Sequence, residues 1–589
     1  MGNPDRRTGV WAMSGLLLAV VLVPLLLAPL VVHPAWRWLV LIAPLPALAS
    51  LALLPPDATL ELPWLLLGTA LGLDETTWVF LLFTTLVWSL AAVPVVERLG
   101  TAAGTGRFRL LFLLALAGNL WLILAREPVG FYVGFAIMGL AAYGLILHPG
   151  GLMRRRAGRV YLAMTLIGEL ALFVALLLMA QTQGVTWSLP ATSAPDGTVI
   201  ALLLLGLGIK AGLMPLHPWL PLAYGAAPAP AAAVLSGAMS KVALLGWLRL
   251  LPLGQVALPE WGMLFVWLGL VSLLVALGVG LVQTDPRRVL AYSSISKAGL
   301  FVLLLGLLLL EPTLTPIGVG ALTLYAAHHA LVKSGLFLGL GLRDLDPARP
   351  LVRAGLILLA LALAGAPLTS GALAKSVAKP VLVSPGWIWL DLALMLATVA
   401  TMLLMARFVW LIWPAPGVDD GHRGALPMLR TSNDTQAPVG SQPAFPIWSL
   451  AAWILLLGLV AGFPFVLGEP SAWPTNAGAM LIAGLIAAPL ALAIWRRAPG
   501  SGRRVRRRSL GDLVVLIEPI LAAQLWTGRA LFGRWNATVE AARAHLYSLG
   551  ERVGSPPPDP ERTLRAWPTA GWLWLGVTVL LLLLVLVAP

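Results

Sequence analysis

The sequence predicts an all-α polytopic membrane protein of about sixteen transmembrane helices, and three observations carry that expectation. Hydrophobic residues make up 59% of the 589 and charged residues 11%, and the mean hydropathy is +0.90, which is more apolar surface than a soluble chain of this length buries. Apolar runs of roughly 17 to 25 residues recur along the chain, each long enough to cross the hydrocarbon core as a helix with its backbone polar groups satisfied internally. Arginines and acidic residues alternate between successive connecting loops, as the positive-inside rule requires of a correctly counted set of spans.

In order, the runs lie near 10–32, 36–54, 76–96, 108–126, 129–148, 159–181, 198–217, 227–251, 260–282, 288–310, 316–341, 353–382, 386–413, 446–467, 475–495 and 570–588. The first is too long for a signal-peptide core and has no small-residue cleavage site before His33-Pro34, so it reads as a retained span. Loops after odd-numbered spans carry Arg107 and Arg109, Arg154, Arg155, Arg156 and Arg159, Arg287 and Arg288, Arg343, Arg349 and Arg353, and the arginines from Arg496 onward. Loops after even-numbered spans carry mainly acids: Asp57, Glu61, Asp74, Glu75, Asp196, Glu260, Glu311 and Glu469. Both termini are therefore expected outside.

Between the last two runs the character changes. From Arg496 to Arg565 there are thirteen arginines against six acids, half of the formal net charge of +14. Leu513, Leu516, Ile517, Ile520, Leu521, Leu525, Leu531, Phe532 and Trp535 recur at three- and four-residue steps, predicting an amphipathic helix on the cytoplasmic surface. It suits anionic lipid, a neighbouring subunit, or both.

There is no cysteine, so the chain holds no disulfide and no ordinary iron–sulfur cluster; no cofactor or metal site is expected, and redox chemistry belongs to a partner.

The six lysines, Lys210, Lys241, Lys297, Lys333, Lys375 and Lys379, all fall within expected spans, whereas thirty-three arginines serve mainly loops and surfaces. A guanidinium stays protonated, but an ammonium group in a desolvated site can give up its proton, which a proton carrier must do. At roughly 3 kcal/mol for each central lysine, six would cost about 15 to 20 kcal/mol, so they must be paired, watered or often neutral. Near span ends a lysine can instead snorkel to the headgroups, an alternative that applies to Lys297 and Lys379. Lys210, Lys241, Lys333 and Lys375 lie several residues inside.

Two of these spans are interrupted. GIKAGLMPLHPWLP sets Lys210 before prolines 215, 218 and 221, with His217 among them as an accessory candidate, and LALAGAPLTSGALA precedes Lys375 with Gly365, Pro367 and Gly371. Interruptions at corresponding places in two halves point to discontinuous helices in two inverted five-helix repeats, spans four to eight and nine to thirteen. In YAAHHALVKSGLF, His329 and Lys333 stand four apart and share a helical face, suiting imidazole as a proton relay; adjacent His328 points elsewhere.

At these residues the sequence resembles the antiporter-like subunits of respiratory complex I, membrane-bound hydrogenases and Mrp-type cation/proton antiporters, over about residues 105 to 410. IKAGLMPLHPWLPLAYGAAPAPAAAVLSGAMSKVALLGWLRL, DPRRVLAYSSISKAG, HALVKSGLFLG and GAPLTSGALAK carry the likeness. The resemblance implies Lys210, Lys241, Lys333 and Lys375 as lysines of a central polar axis, and a layout like that of the largest such subunit, whose long surface helix leads to a sixteenth span. The expected division is 1–104, helices 1–3; 105–255 and 256–415, the two repeats; 416–498, helices 14 and 15; 499–568, the basic surface helix and linker; and 569–589, the last helix. Three departures stand out. Ala136, in FYVGFAIMGL, occupies the place of a fifth-span glutamate, Lys297 that of a glutamine, and Ser376 that of an aspartate. The substitute for the glutamate is expected in TLIGELALF: Glu169 lies about ten residues into span six, and Lys210 about thirteen into span seven from the other side, so at about 1.5 Å per residue both come near mid-depth.

The sequence thus predicts a proton-translocating subunit of a larger complex in a bacterial inner membrane, partnered by other membrane subunits and lipid and not by nucleic acid. Lys210, Lys241, Lys333, Lys375, Glu169 and His329 would form the pathway, with His217, His328, Lys297 and Lys379 as accessories. Rival readings are a cation antiporter subunit moving Na⁺, energy coupling in a non-redox complex such as an inorganic-carbon accumulator, a structural subunit without transport, and a quinone-reducing enzyme, disfavoured by the absence of cysteine.

Overall fold

The computed structural model describes residues 4–66, 68–99, 104–148, 150–183, 188, 189, 191, 195–413 and 446–467. The chain divides into two units, Met1–Gly511 and Asp512–Pro589, and every described residue belongs to the first. The runs expected near 475–495 and 570–588 and the basic segment 499–568 fall outside the described residues.

The protein is a helical, multi-pass membrane protein. Its helices run α1 (Pro4–Leu30), α2 (Leu39–Ile42), α3 (Leu45–Leu53), then after a short hairpin α4 (Glu75–Glu97), α5 (Thr105–Leu124), α6 (Pro128–Leu147) and α7 (Leu152–Gln183). They continue as α8 (Gly197–Ala211), α9 (Trp219–Ala226), α10 (Ala229–Gly237), α11 (Val242–Leu250), α12 (Pro259–Leu281), α13 (Pro286–Leu310) and α14 (Thr315–Leu342). The last described are α15 (Arg349–Ala364), α16 (Ser370–Val383), α17 (Ile388–Ile412) and α18 (Ile447–Leu467). Among the described residues, nine helical segments are long and apolar enough to cross a bilayer unaided.

Two features depart from the sequence reading. The run near 36–54 is divided, because Pro44 and Pro46 lack the amide hydrogens a continuous helix needs, and α2 stops before them. The loop that follows is a hairpin, β1 (Thr59–Leu62) paired antiparallel with β2 (Thr69–Gly72), Leu60 opposite Leu71. Four-residue strands are too short for their alternation to show against a uniformly apolar background.

α5 crosses α6 at a glycine seam: a Cβ on Gly118 would lie 2.6 Å from the Gly134 carbonyl oxygen, and one on Gly134 2.8 Å from that of Gly118. α12 and α13 repeat the arrangement through Gly269 and Gly299, at 2.6 and 2.5 Å. Only glycine lets backbones approach so closely. Burial grades from centre to edge: 94% of the apolar window is buried in Ala229–Leu250 and in Pro286–Leu310, against 33% in Ile388–Ile412, which places α10, α11 and α13 at the core and α17 at the rim.

Two charged groups tie helix ends together. Arg249, at the end of α11, donates to the carbonyls of Leu122, Ile123 and Ala125 at 3.0, 2.6 and 2.8 Å and to Thr77 Oγ1 at 2.8 Å, so it caps the C-terminal end of α5. Glu97, ending α4, accepts the Trp448 and Ser449 amides at 3.0 and 2.7 Å and so caps α18 from 352 residues away in sequence.

Candidate functional site

The lysines gather where helices break. α8 ends at Gly212, whose φ of 72° is the left-handed conformation glycine tolerates, and the Leu213 amide bonds back to the Gly208 carbonyl at 2.9 Å and that of Gly212 to Ile209 at 3.1 Å. α15 ends in the same way at Gly365, φ 84°, with Ala366 bonded to Leu361 and Gly365 to Ala362, both at 3.0 Å. Each break leaves carbonyls directed away from the helix, a concentration of partial negative charge suited to a cation.

Lys210 sits in the last turn of α8, 5% exposed, its ammonium 4.9 Å from the centroid of the Phe135 ring. Its Nζ has no hydrogen-bond partner. Glu169, on α7 and 3% exposed, likewise has neither carboxylate oxygen bonded. The two line one small cavity with Phe135, Thr165, Ile209 and Trp219, and each lies within the electrostatic field of the other. The Trp219 indole donates to the Ile209 carbonyl at 2.7 Å, the same oxygen that accepts the Gly212 amide. Ala136 lies on α6 beside Phe135, buried and without a titratable group.

A second cavity, of ≈ 20 Å³, is bounded by Ala211, Ser240, Lys241, Ser294, Phe301 and His329 and is about large enough for one water. Because Ala211 follows Lys210, the two cavities abut the same end of α8. Lys241 stands at the junction of α10 and α11 and donates to the Ser236 carbonyl at 2.5 Å and to Ser240 Oγ at 3.1 Å. Neither ring nitrogen of His329 has a partner. The expected His329–Lys333 face is present on α14, but the imidazole opens on the Lys241 cavity while Lys333, 0% exposed, donates across to the Leu290 carbonyl of α13 at 2.6 Å.

Lys297 is not at the headgroups. It is 4% exposed, and its ammonium lies 5.7 Å from the Tyr325 ring centroid. His328 faces α16, with Nδ1 2.9 Å from Ser370 Oγ. Lys375, farther along α16, reaches back to the Ala364 carbonyl at the end of α15, at 2.7 Å. Lys379 is exposed on the outer surface, apart from this file, and His217 is buried between α8 and α9 with its ring 6.2 Å from that of Tyr292.

The sequence reading missed the hydroxyls and rings that furnish the file: Ser236, Ser240, Ser294, Phe135 and Tyr325. Serines beside the lysines in SGAMSK and YSSISK were the available signal. Among the described residues no group of three histidines or carboxylates is placed to hold a metal ion. What the arrangement offers is a set of amines and imidazoles, buried within the protein except for half-buried Lys375, with carbonyls, hydroxyls and one carboxylate as counter-groups.

Residues 125–402 match the family described as NADH:quinone oxidoreductase/Mrp antiporter, TM. The chain is 33% identical over 268 residues to hydrogenase-4 component B of Escherichia coli, covering 43% of this chain and 39% of that one. It is 32% identical over 320 residues to NADH-quinone oxidoreductase subunit N of Ectopseudomonas mendocina, covering 49% and 63%. F(420)H(2) dehydrogenase subunit N of Methanosarcina mazei is 25% identical, with 58% and 74% covered. The matches thus span about two-fifths of the length of the hydrogenase component. Among solved structures, a chain of the Mrp complex from Dietzia sp. DQ12-45-1b superposes with a TM-score of 0.62 at 22% identity, covering 82% of this chain and 99% of that one. A chain of the membrane-bound sulfane sulfur reductase, an archaeal respiratory membrane complex, gives 0.62 at 21%, covering 97% and 100%. These two establish a shared fold.

Proposed function

We propose that this chain, an antiporter-like membrane protein through the family segment 125–402, is the proton-carrying subunit of a larger energy-converting membrane complex. The observation that supports the proposal is the burial of Glu169, Lys210, Lys241, His329, Lys333, Lys297 and His328 within the protein, with half-buried Lys375 beyond them, and the two adjoining cavities that bring Glu169 to Lys210 and Lys241 to His329. The names of the relatives, parts of hydrogenase-4, F(420)H(2) dehydrogenase and NADH-quinone oxidoreductase, agree with it.

In this reading Lys210 takes up a proton beside Glu169, whose carboxylate lowers the cost of the charged amine. Release passes by way of the water-sized cavity to Lys241 and His329, where a neutral imidazole accepts a proton on one nitrogen and gives one up from the other. Beyond that point the counter-groups are carbonyls and hydroxyls, so adjacent lysines repel when both are charged, and loading one favours unloading its neighbour. The chemistry is proton transfer alone, and the redox partner lies in another subunit.

The finer architecture belongs to the same proposal: sixteen spans, inverted repeats at 105–255 and 256–415, both termini outside, and a bacterial inner membrane. The repeats are supported by the two glycine seams, each between the first two helices of a quintet, and by the two breaks, each in the fourth span of its quintet. The basic segment 499–568 is proposed to dock partner subunits or anionic lipid. The test is proton uptake by the full chain in sealed liposomes under an imposed potential, followed with an entrapped pH dye. Flux in the parent and its loss in Lys210→Ala are expected; equal flux in the two overturns the proposal.

A further inference from the structure

The Glu169 carboxylate rests against the neighbouring helix α6. A Cβ placed on Gly139 would collide with Glu169 Oε1 and come within 3.4 Å of Cδ and 3.3 Å of Thr165 Cγ2. The backbone there is held independently, because the Tyr161 hydroxyl of α7 donates to the Gly139 carbonyl at 3.0 Å. Tyr161, Thr165 and Glu169 recur every four residues, so they share the face of α7 turned to α6.

Gly139 differs in kind from the glycines of the helix seams. At Gly118 and Gly134 the atoms nearest an added Cβ are main-chain atoms of the facing helix, so a side chain there would force the helices apart. At Gly139 they are side-chain atoms alone, foremost the far end of a flexible carboxylate. An added methyl group would move Glu169 and leave the helices in place. Glu169 is also the acid that shares the Lys210 cavity, with both oxygens unpartnered.

We propose that Gly139 is a positioning residue that seats the Glu169 carboxylate beside Lys210, its missing side chain setting how near the acid comes to the amine. This rests on the reading of Glu169 and Lys210 as part of the proton pathway. The seat is matched to the length of glutamate, so a methyl added at 139 is answered by a methylene removed at 169.

The test compares Gly139→Ala, Glu169→Asp and the double variant, each as the full chain in sealed liposomes. It reads proton flux and the pH dependence of carbodiimide labelling at residue 169, which reports the protonated acid. Gly139→Ala is expected to lower flux about tenfold, because the displaced carboxylate no longer sits beside Lys210, and to shift the labelling curve. The double variant should recover flux above Gly139→Ala, a rescue that a helix-packing role for Gly139 does not produce. Parent-like flux and labelling in Gly139→Ala, or a double variant no better than it, overturns the proposal. Should Gly139→Ala fail to accumulate in membranes, accumulation of the active double variant supports the seat, and failure of both shows a packing glycine. If Glu169→Gln keeps full flux, the pathway reading itself falls; if Glu169→Gln is inactive while Gly139→Ala is unaffected, only this inference does.

Discussion

Glu169 and Lys210 face one small cavity, and none of their three charge-bearing atoms has a hydrogen-bond partner. Charges left unsatisfied in a dry interior are expensive alone, so each is the other's principal compensation. Glu169→Gln should therefore lower proton flux about as far as Lys210→Ala, and the double variant should be little worse than either. The coupling read from that cycle should fall in the range of about 0.5–3 kcal/mol usual for residues coupled through a shared cavity. Clean additivity would show that they act apart.

Lys210→Arg separates a proton carrier from a structural cation. The cavity beside it is small, but a flat guanidinium can keep the contact with the Phe135 ring. The variant should assemble in normal amount yet lose flux by at least about tenfold, because a guanidinium does not deprotonate in the accessible pH range. Parent-like uptake in sealed vesicles would make a fixed charge sufficient.

Lys297 is the lysine whose place the sequence left most open. With 4% exposure and its ammonium 5.7 Å from the Tyr325 ring centroid, it is buried among the helices, and we propose that it serves the proton pathway. Lys297→Gln should reduce flux and move its pH optimum, because the repulsion acting on Lys333 and Lys375 is relieved. Lys379→Gln, on the exposed surface, should change neither. Equal behaviour of the two variants would return Lys297 to a snorkelling role.

Arg249→Leu should destabilise the protein by about 3–5 kcal/mol, because four acceptors, three of them at the end of α5, lose their donor together. The readout is the yield and thermal midpoint of the purified chain in detergent. An unchanged midpoint would mean that water replaces the guanidinium freely.

Much of this was legible because membrane solvation makes rare residues informative. Lysines confined to apolar runs marked buried positions, with exposed Lys379 the exception, and glycines and prolines marked both breaks, since an interrupted helix needs a left-handed residue or a missing amide. The depth estimate brought Glu169 and Lys210 to one level from helix rise alone. Rotation was the part the pattern withheld. In runs apolar on every side there is no stripe to show which way His329 or Lys297 turns, so the surroundings of both emerged only from packing. The serines that receive Lys241 were hidden by their ordinary frequency in membrane helices, and the β1–β2 hairpin by its length.

Position on the helix face, and not the identity of the helix, should decide whether an acid serves Lys210. Ala136 and Gly139 stand three apart on α6, so they share a face, and the carboxylate of Glu169 already lies against that face at Gly139. Moving the acid across, as Glu169→Ala with Ala136→Glu, keeps total side-chain volume constant and returns a carboxylate to the neighbourhood of Phe135, over whose ring the Lys210 ammonium sits. Glu169→Ala alone should abolish most flux, because Lys210 keeps only the ring and the helix-end carbonyls for compensation. The exchanged variant should regain a measurable part of it, more than Ala136→Glu contributes to the parent. Failure to regain any flux, in a variant that accumulates normally and still takes up carbodiimide at residue 136, would show that Lys210 requires the carboxylate on α7, at the depth and angle that Gly139 leaves open for it.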